Sequence, residues 1–322
     1  MIDLRGWLAC PACRGALSEQ WRCTVCGTRF EAADGIPDLR LGGSGRIDTV
    51  RAFYERAPFP GYPPRDSLAG FRSRAERSRF AKLLDRAIAP DAAIAEVGCG
   101  TGQMSLFLAH GDRVVIAADL SRRSLQLGAA AAERYGVERV LFVETDLHQS
   151  ALKPGAFDVV YSSGVVHHTP DPRAAFRAVA RLARPGGIVI VGVYNFVARI
   201  PLRLRRTIAR MTRFRVVPFD PVLRDRRTEP QRYEAWMRDQ YRHPEEHSHT
   251  VGEVMRWFRE NDLEYLRSFP STVLDDDSND LFAPAADDWR VERWMSQAAW
   301  MATLGREGGL FLSIGQRRTM LR

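Results

Sequence analysis

Lysine is nearly missing from this chain. Of 47 basic residues only Lys82 and Lys153 are lysines, and the other 45 are arginines. In an alanine-rich sequence that skew fits GC-rich coding bias, so the formal charge of +8 is weak evidence for contacts with phosphates. Long apolar runs are missing too. No stretch approaches the ~18 to 20 consecutive apolar residues of a membrane span, and the start MIDLRGWLACPAC has no basic-then-apolar leader. A cytoplasmic chain without a membrane span is expected, in an oligomeric state the sequence leaves open. With 322 residues and 45% hydrophobic content, it can bury one large core plus a small appendage.

Cysteine is scarce, yet four of the five lie together as Cys10-Pro-Ala-Cys13 and Cys23-Thr-Val-Cys26. Each CxxC turns two thiolates toward one point, and two such knuckles joined by a short hairpin make the closed tetrahedral S4 site that Zn²⁺ prefers. With all four positions filled no place is left for a catalytic water, so the metal is expected to be structural. The rival is a thioredoxin-like redox motif, which needs one CxxC at a strand-to-helix junction; residues 1–40 hold no such unit. The stretch LACPACRGALSEQWRCTVCGTRFEAADGIPDL resembles the small zinc ribbons found as partners or N-terminal fusions of methyltransferases, including the activator subunit of tRNA methyltransferases.

After the ribbon (1–40), LGGSGR reads as a linker, and residues 41–90 supply a short helix IDTVRAFYERA, the proline-broken PFPGYPPRD and a helix from Phe71 to Ile88. Residues 91–194 then alternate strand and helix, the pattern of a parallel sheet covered on both faces. The strands are AAIAEV, RVVIAADL, RVLFVETD, FDVVYSS and GIVIVGVY. Ligands of such open sheets bind beyond the carboxyl ends of the strands.

The turn EVGCGTGQ follows the first strand. A phosphate-binding P-loop needs a lysine after the last glycine, and residue 103 is Gln. A dinucleotide fingerprint is GxGxxG, whereas Gly98, Gly100 and Gly102 make GxGxG around Cys99. S-adenosylmethionine has no pyrophosphate, so the turn need only let backbone approach a ribose and an amino-acid tail. Glu96 suits its cationic sulfonium and amine. Asp119, followed by Leu120, ends the second strand where an acid can accept hydrogen bonds from ribose hydroxyls. Asp146, followed by Leu147, ends the third, where it can meet the adenine amino group while the leucine stacks on the ring. Any one acid has a blander reading as a helix cap, Asp119 before SRRSL above all.

These motifs resemble class I S-adenosylmethionine-dependent methyltransferases of the methyltransferase-domain type: EVGCGTGQ the first, DLS the second, ETDLHQ the third, and FDVVYSSGVVHHTPDP with LARPGGIVIVGVY the remainder. The resemblance implies a Rossmann-like α/β fold with a seven-stranded sheet in the order 3-2-1-4-5-7-6. LEYLRSF and GGLFLSIGQ within 263–322 would supply strands six and seven. It also implies S-adenosyl-L-methionine as cofactor, held by Tyr54, Glu96, Gly98, Cys99, Gly100, Gly102, Asp119, Leu120, Asp146, Leu147 and Ser163.

Transfer to an acceptor is an in-line displacement, so positioning carries much of the rate. The [DN]PP[YF] motif of exocyclic amine methylation is missing after strand four, where SSGV stands, and Cys99 lies inside the turn, where it cannot act as a C5-pyrimidine nucleophile. His167 and His168 follow strand four and can take a proton from a hydroxyl or amine, or can simply tie the loop to backbone. Tyr194 and His243 complete the candidate catalytic set. YRHPEEHSHT, at 241–250, offers three histidines for a metal, for a cap over the acceptor with His243 or His247 inward, or for a solvated loop leading into the capping box Thr250–Glu253.

The insertion 195–262 is expected to be a helical cap. From Arg199 to Arg227 it carries ten arginines against Asp220 and Asp225. Its helix, with arginines on one stripe and Ile200, Leu204, Ile208 and Met211 on another, can track phosphates or anionic membrane surfaces, or be an ordinary solvated face. A small-molecule acceptor of the methyl group is favoured. One alternative is an RNA methyltransferase that grips phosphates through ribbon and Arg helix; another is a non-catalytic binding module on the same scaffold. The aromatics Phe53, Tyr54, Phe59 and Tyr62 are expected to close over a bound cofactor, or to pack permanently on the ribbon or the following helix.

Overall fold

Apolar residues on both faces of successive strands produce the central feature of the computed structural model, a twisted sheet buried on both sides. The structure describes residues 3–42, 61–63, 65–215, 217, 220–225, 229–241, 246–274, 276, 278–286, 289–304 and 308–319. Strands β1 (Glu31–Ala33), β2 (Ile36–Asp38), β3 (Ala93–Val97), β4 (Val114–Asp119), β5 (Val140–Glu144), β6 (Phe157–Ser163), β7 (Ala183–Tyr194), β8 (Leu263–Phe269) and β9 (Leu310–Arg317) form one sheet in the order β1-β2-β5-β4-β3-β6-β7-β9-β8. From β5 to β8 this is the expected 3-2-1-4-5-7-6 order, parallel except for β9, which runs antiparallel to both β7 and β8.

The sheet has nine strands rather than seven. The two extra ones are the hairpin that ends the cysteine-bearing segment, and its second strand joins the sheet edge. Asp38 pairs in parallel with Glu144, and the Leu39 amide donates to Glu144 O at 2.8 Å. The Glu144 carboxylate, buried at that edge, accepts a hydrogen bond from Arg122 (2.9 Å) and forms an ion pair with Arg40 (3.1 Å). On the other side, Ala9 N donates to Ala151 O and Lys153 N to Trp7 O. The N-terminal segment is thus attached before and after the loop that follows β5. Sequence pattern alone carries no sign of this, because the pairing joins residues about a hundred positions apart.

Alternation along the strands divides the core. Ala93, Ala95 and Val97 of β3 face a cluster with Phe176, Trp257 and Phe258, while Ile94 faces one with Leu84, Leu106 and Leu125. The helix expected over 71–88 is two helices, Leu68–Ala75 and Arg79–Ala87. Ser78 caps the second, its hydroxyl accepting the Ala81 amide, so a capping signal outweighed the apolar periodicity.

Between β7 and β8 the described residues include helices Ile200–Met211, Pro221–Asp225, Pro230–Tyr241 and Val251–Glu260. The first three share a small core of Leu202, Ala209, Leu223, Met237 and Tyr241. The arginine stripe of the first helix is solvated only in part: Arg203 and Arg210 are exposed, while Arg206 pairs with Glu246. Arg199, at its head, is buried, whereas Leu204 and Met211 face outward. No helix among the described residues is long and apolar enough to cross a membrane.

Candidate active site

β3 delivers Glu96 and Val97 into the glycine turn. Gly98 (φ +75°) and Gly102 (φ +74°) occupy the left-handed region, and both are tightly enclosed. A Cβ on Gly98 would stand 2.2 Å from Val165 Cγ2, and one on Gly102 would stand 2.5 Å from Phe142 Cε1. Glycine is what allows these side chains to close on the turn. The amides of Gly98 and Cys99 both donate to Ala118 O, at 2.7 and 3.0 Å, and that of Gly100 donates to Asp119 Oδ2 at 2.7 Å. Burial, with Asp119 and Glu96 nearby, holds the Cys99 thiol well above its usual range, which leaves it a poor nucleophile.

The three acids end three adjacent strands. Glu96 is buried on β3 and accepts a short hydrogen bond from the Ser105 hydroxyl. Burial pushes its carboxyl up to about 7; the Ser105 bonds oppose that shift and Asp119 adds to it. Asp119 closes β4, its Oδ1 accepting Ser121 N at 2.8 Å. Burial raises its carboxyl too, while the amides of Ser121 and Gly100 lower it. The cap of the following helix is Ser121, not Asp119, which leaves Asp119 engaged with the turn. Asp146 lies just beyond β5 and accepts His148 N at 2.7 Å. Thr145 N donates to Asp119 O at 3.0 Å, tying those strand ends together. Leu120 and Leu147 are half-buried beside their acids, and Ser163 closes β6 against Gly192. The carboxyl ends of β5, β4, β3 and β6 therefore gather Asp146, Asp119, Glu96, the glycine turn and Ser163 on one rim.

The neighbouring strand ends hold His167, His168 and Tyr194. His167 and His168 belong to a 3-10 turn, Val166–His168, and both are buried. The His167 ring lies 4.2 Å from His168 and 4.1 Å from Tyr194, which ends β7. Residues 246–249 run along this cluster: His247 N donates to His167 O and His249 N to Tyr194 O, both at 2.8 Å. His243 lies outside the described residues. The capping box is half formed. Thr250 accepts Glu253 N, but the Glu253 carboxylate lies 3.0 Å from His249 Nδ1 instead of reaching back.

Sequence reasoning missed Arg199. Its guanidinium covers the Tyr194 ring at 3.7 Å, donates to Gln240 Oε1 at 2.8 Å and to Gly308 O, and stands 2.9 Å from Glu246 Oε1. Gln240 in turn donates to the Tyr194 hydroxyl at 2.9 Å. Apart from Tyr194, these partners come from segments 41 to 109 residues away, so no local pattern announces them.

Tyr54, with Phe53 and Phe59, lies outside the described residues. Tyr62 packs on Phe71 and Tyr135, and its hydroxyl donates to Thr101 O, inside the glycine turn, at 2.7 Å. At this end the aromatic segment takes the packed arrangement on the next helix.

Cys10, Cys13, Cys23 and Cys26 bring their sulfurs within 4.8 Å of one another, with Cys10–Cys26 at 3.7 Å and Cys13–Cys23 at 3.4 Å. A tetrahedron with metal–sulfur bonds of about 2.3 Å has edges of about 3.8 Å, so the four side chains fit a tetrathiolate metal. It is the only such cluster among the described residues.

Residues 95–191 match the protein family described as "Methyltransferase domain". With the strand order above, this part of the chain is a class I methyltransferase fold. An uncharacterized protein of Synechococcus sp. is 30% identical over 269 residues, which is 74% of this chain and 62% of the relative. The ubiquinone biosynthesis O-methyltransferase of Leptothrix cholodnii is 34% identical over 103 residues, 32% of this chain and 44% of that enzyme. The chain thus spans less than two thirds of either relative. Among solved structures, phosphoethanolamine N-methyltransferase 2 of Haemonchus contortus in complex with S-adenosyl-L-methionine gives a TM-score of 0.49 at 13% identity, covering 88% of this chain and 62% of that one.

Proposed function

We propose that the chain is an S-adenosylmethionine-dependent methyltransferase acting on an O, N or C atom of a small-molecule acceptor. The observation that carries this reading is the gathering of the glycine turn with Glu96, Asp119 and Asp146 at adjacent strand ends. The match of 95–191 to the methyltransferase domain supports it. The bound cofactor would supply an electrophilic methyl group. Gly98, Cys99, Gly100 and Gly102 present backbone to its amino-acid tail and ribose. Asp119 accepts from the ribose hydroxyls, Glu96 opposes the positive charge, and Asp146, Leu120 and Leu147 border the adenine. Ser163 leads from this rim toward His167, His168 and Tyr194, where the acceptor is oriented and where an imidazole takes its proton.

The four cysteines hold a structural Zn²⁺ in this reading, supported by the fit of their sulfurs to a tetrathiolate site. A small molecule is preferred to RNA as the acceptor because two of the helix arginines, Arg199 and Arg206, are paired with Glu246 and the exposed stripe of their helix is aliphatic. Titration calorimetry with S-adenosylmethionine and S-adenosylhomocysteine tests the proposal. Saturable binding of both, followed by methyl uptake into small-molecule extract fractions, is expected. No binding of either would overturn it in favour of a module that keeps only the scaffold.

A further inference from the structure

An amphipathic helix in a folded domain ordinarily turns its apolar stripe inward. The helix Ile200–Met211 does the reverse. It buries only Leu202 and Ala209 against the small core of the cap. Ile200 (46% exposed), Leu204 (64%) and Met211 (81%) follow one another along its outer face with Ile208 between, and Phe196, also exposed, precedes them. This is an aliphatic ridge along a helix of about three turns.

Arginines surround that ridge. Between residues 199 and 219 there are seven arginines and no carboxylate. Glu246, which comes from elsewhere, is taken by Arg199 and Arg206. Arg203, Arg210, Arg213 and Arg215 are exposed, and Arg203 lies over the Phe196 ring at 4.2 Å. Among the described residues no carboxylate forms an ion pair with any of these four.

We propose that this face docks on an anionic lipid surface. Flexible aliphatic side chains can enter the acyl boundary while the flanking guanidinium groups reach lipid phosphates, the arrangement of helices that lie in the plane of a membrane interface. Charge complementarity selects anionic over neutral lipid, and each arginine adds to the attraction. A nucleic acid would satisfy the arginines and leave the ridge in water. The inference stands apart from the identity of the methyl acceptor, because none of the outward residues belongs to the proposed site.

The test is co-flotation of the purified full chain with vesicles of phosphatidylglycerol in phosphatidylcholine, and with vesicles of phosphatidylcholine alone. Partition into the anionic vesicles is expected, weakening as salt is raised. Leu204→Asp combined with Met211→Asp should lower that partition roughly tenfold or more, as should Arg210→Glu combined with Arg213→Glu. Thermal unfolding of both variants should match the parent, since the altered side chains are exposed. Failure to float with anionic vesicles, or flotation indifferent to the aspartates, would overturn the proposal. Sedimentation equilibrium supplies an independent arm. A monomer supports the lipid assignment, whereas a dimer dissolved by Leu204→Asp would show that the ridge is covered by a second copy of the chain.

Discussion

The Gly100 amide donates to Asp119 Oδ2 at 2.7 Å, so the end of β4 clasps the turn that leaves β3. One carboxylate therefore has two tasks, shaping the glycine turn and offering acceptor oxygens to a ribose.

Asp119→Ala should weaken S-adenosylmethionine binding by about 1 to 3 kcal/mol through the loss of charge-assisted hydrogen bonds. Asp119→Asn, which keeps one carbonyl oxygen for Gly100, should retain more of the affinity than alanine. Calorimetry on both variants checks this, and parent-like affinity in the alanine variant would remove Asp119 from the site.

Glu96 makes the stability of the ligand-free protein depend on pH in a particular direction. Its carboxyl stands at about 7 in the folded chain against an ordinary 4.5, so the folded state holds a proton that the unfolded state has released between those values. Its contribution is fully present below pH 4.5 and is lost as pH rises to 7, a change of about 3 kcal/mol. Urea unfolding across this window should show a decline that flattens in Glu96→Gln. An equal decline in parent and variant would assign it to other groups.

Gly98→Ala should destabilise the fold by about 2 to 4 kcal/mol, because it combines a left-handed backbone with a side-chain collision. The collision is with Val165, so Val165→Ala in the same chain should restore part of the loss. Chemical denaturation of the two variants measures it; no recovery in the double variant would place the whole cost in the backbone.

Cys23→Ser should abolish the single Zn²⁺ expected per chain by elemental analysis. Without the metal, amide exchange should accelerate over residues 31–39, which pair with the sheet only at its edge, while β3 and β4 keep their protection. Zinc missing from the native protein would end this reading.

The parallel core was legible because its strands are short apolar runs separated by capped helices, a signal confined to neighbouring residues. The glycine turn and its three acids were legible for the same reason, each sitting at the end of one strand. What escaped were relationships across distance: the addition of β2 beside β5, the break at Ser78 where a cap overrode periodicity, and above all Arg199. A helical projection puts Arg199 on a polar stripe, but the burial of Arg199 depends on Gln240, Glu246 and Gly308, which arrive from distant parts of the chain to meet it beside Tyr194. Periodicity finds the two faces of a helix without saying which one the rest of the chain will cover.

Arg199 also braces the junction between β7 and the Ile200–Met211 helix. Held by three polar partners and an aromatic ring, its side chain has almost no freedom to adapt, and breaking a buried pair by removing one member costs about 3 to 5 kcal/mol. The head of the Ile200–Met211 helix and the end of β7 must then travel as one lever. A load on the outer face of the cap is passed to Tyr194 and not absorbed by a hinge between them.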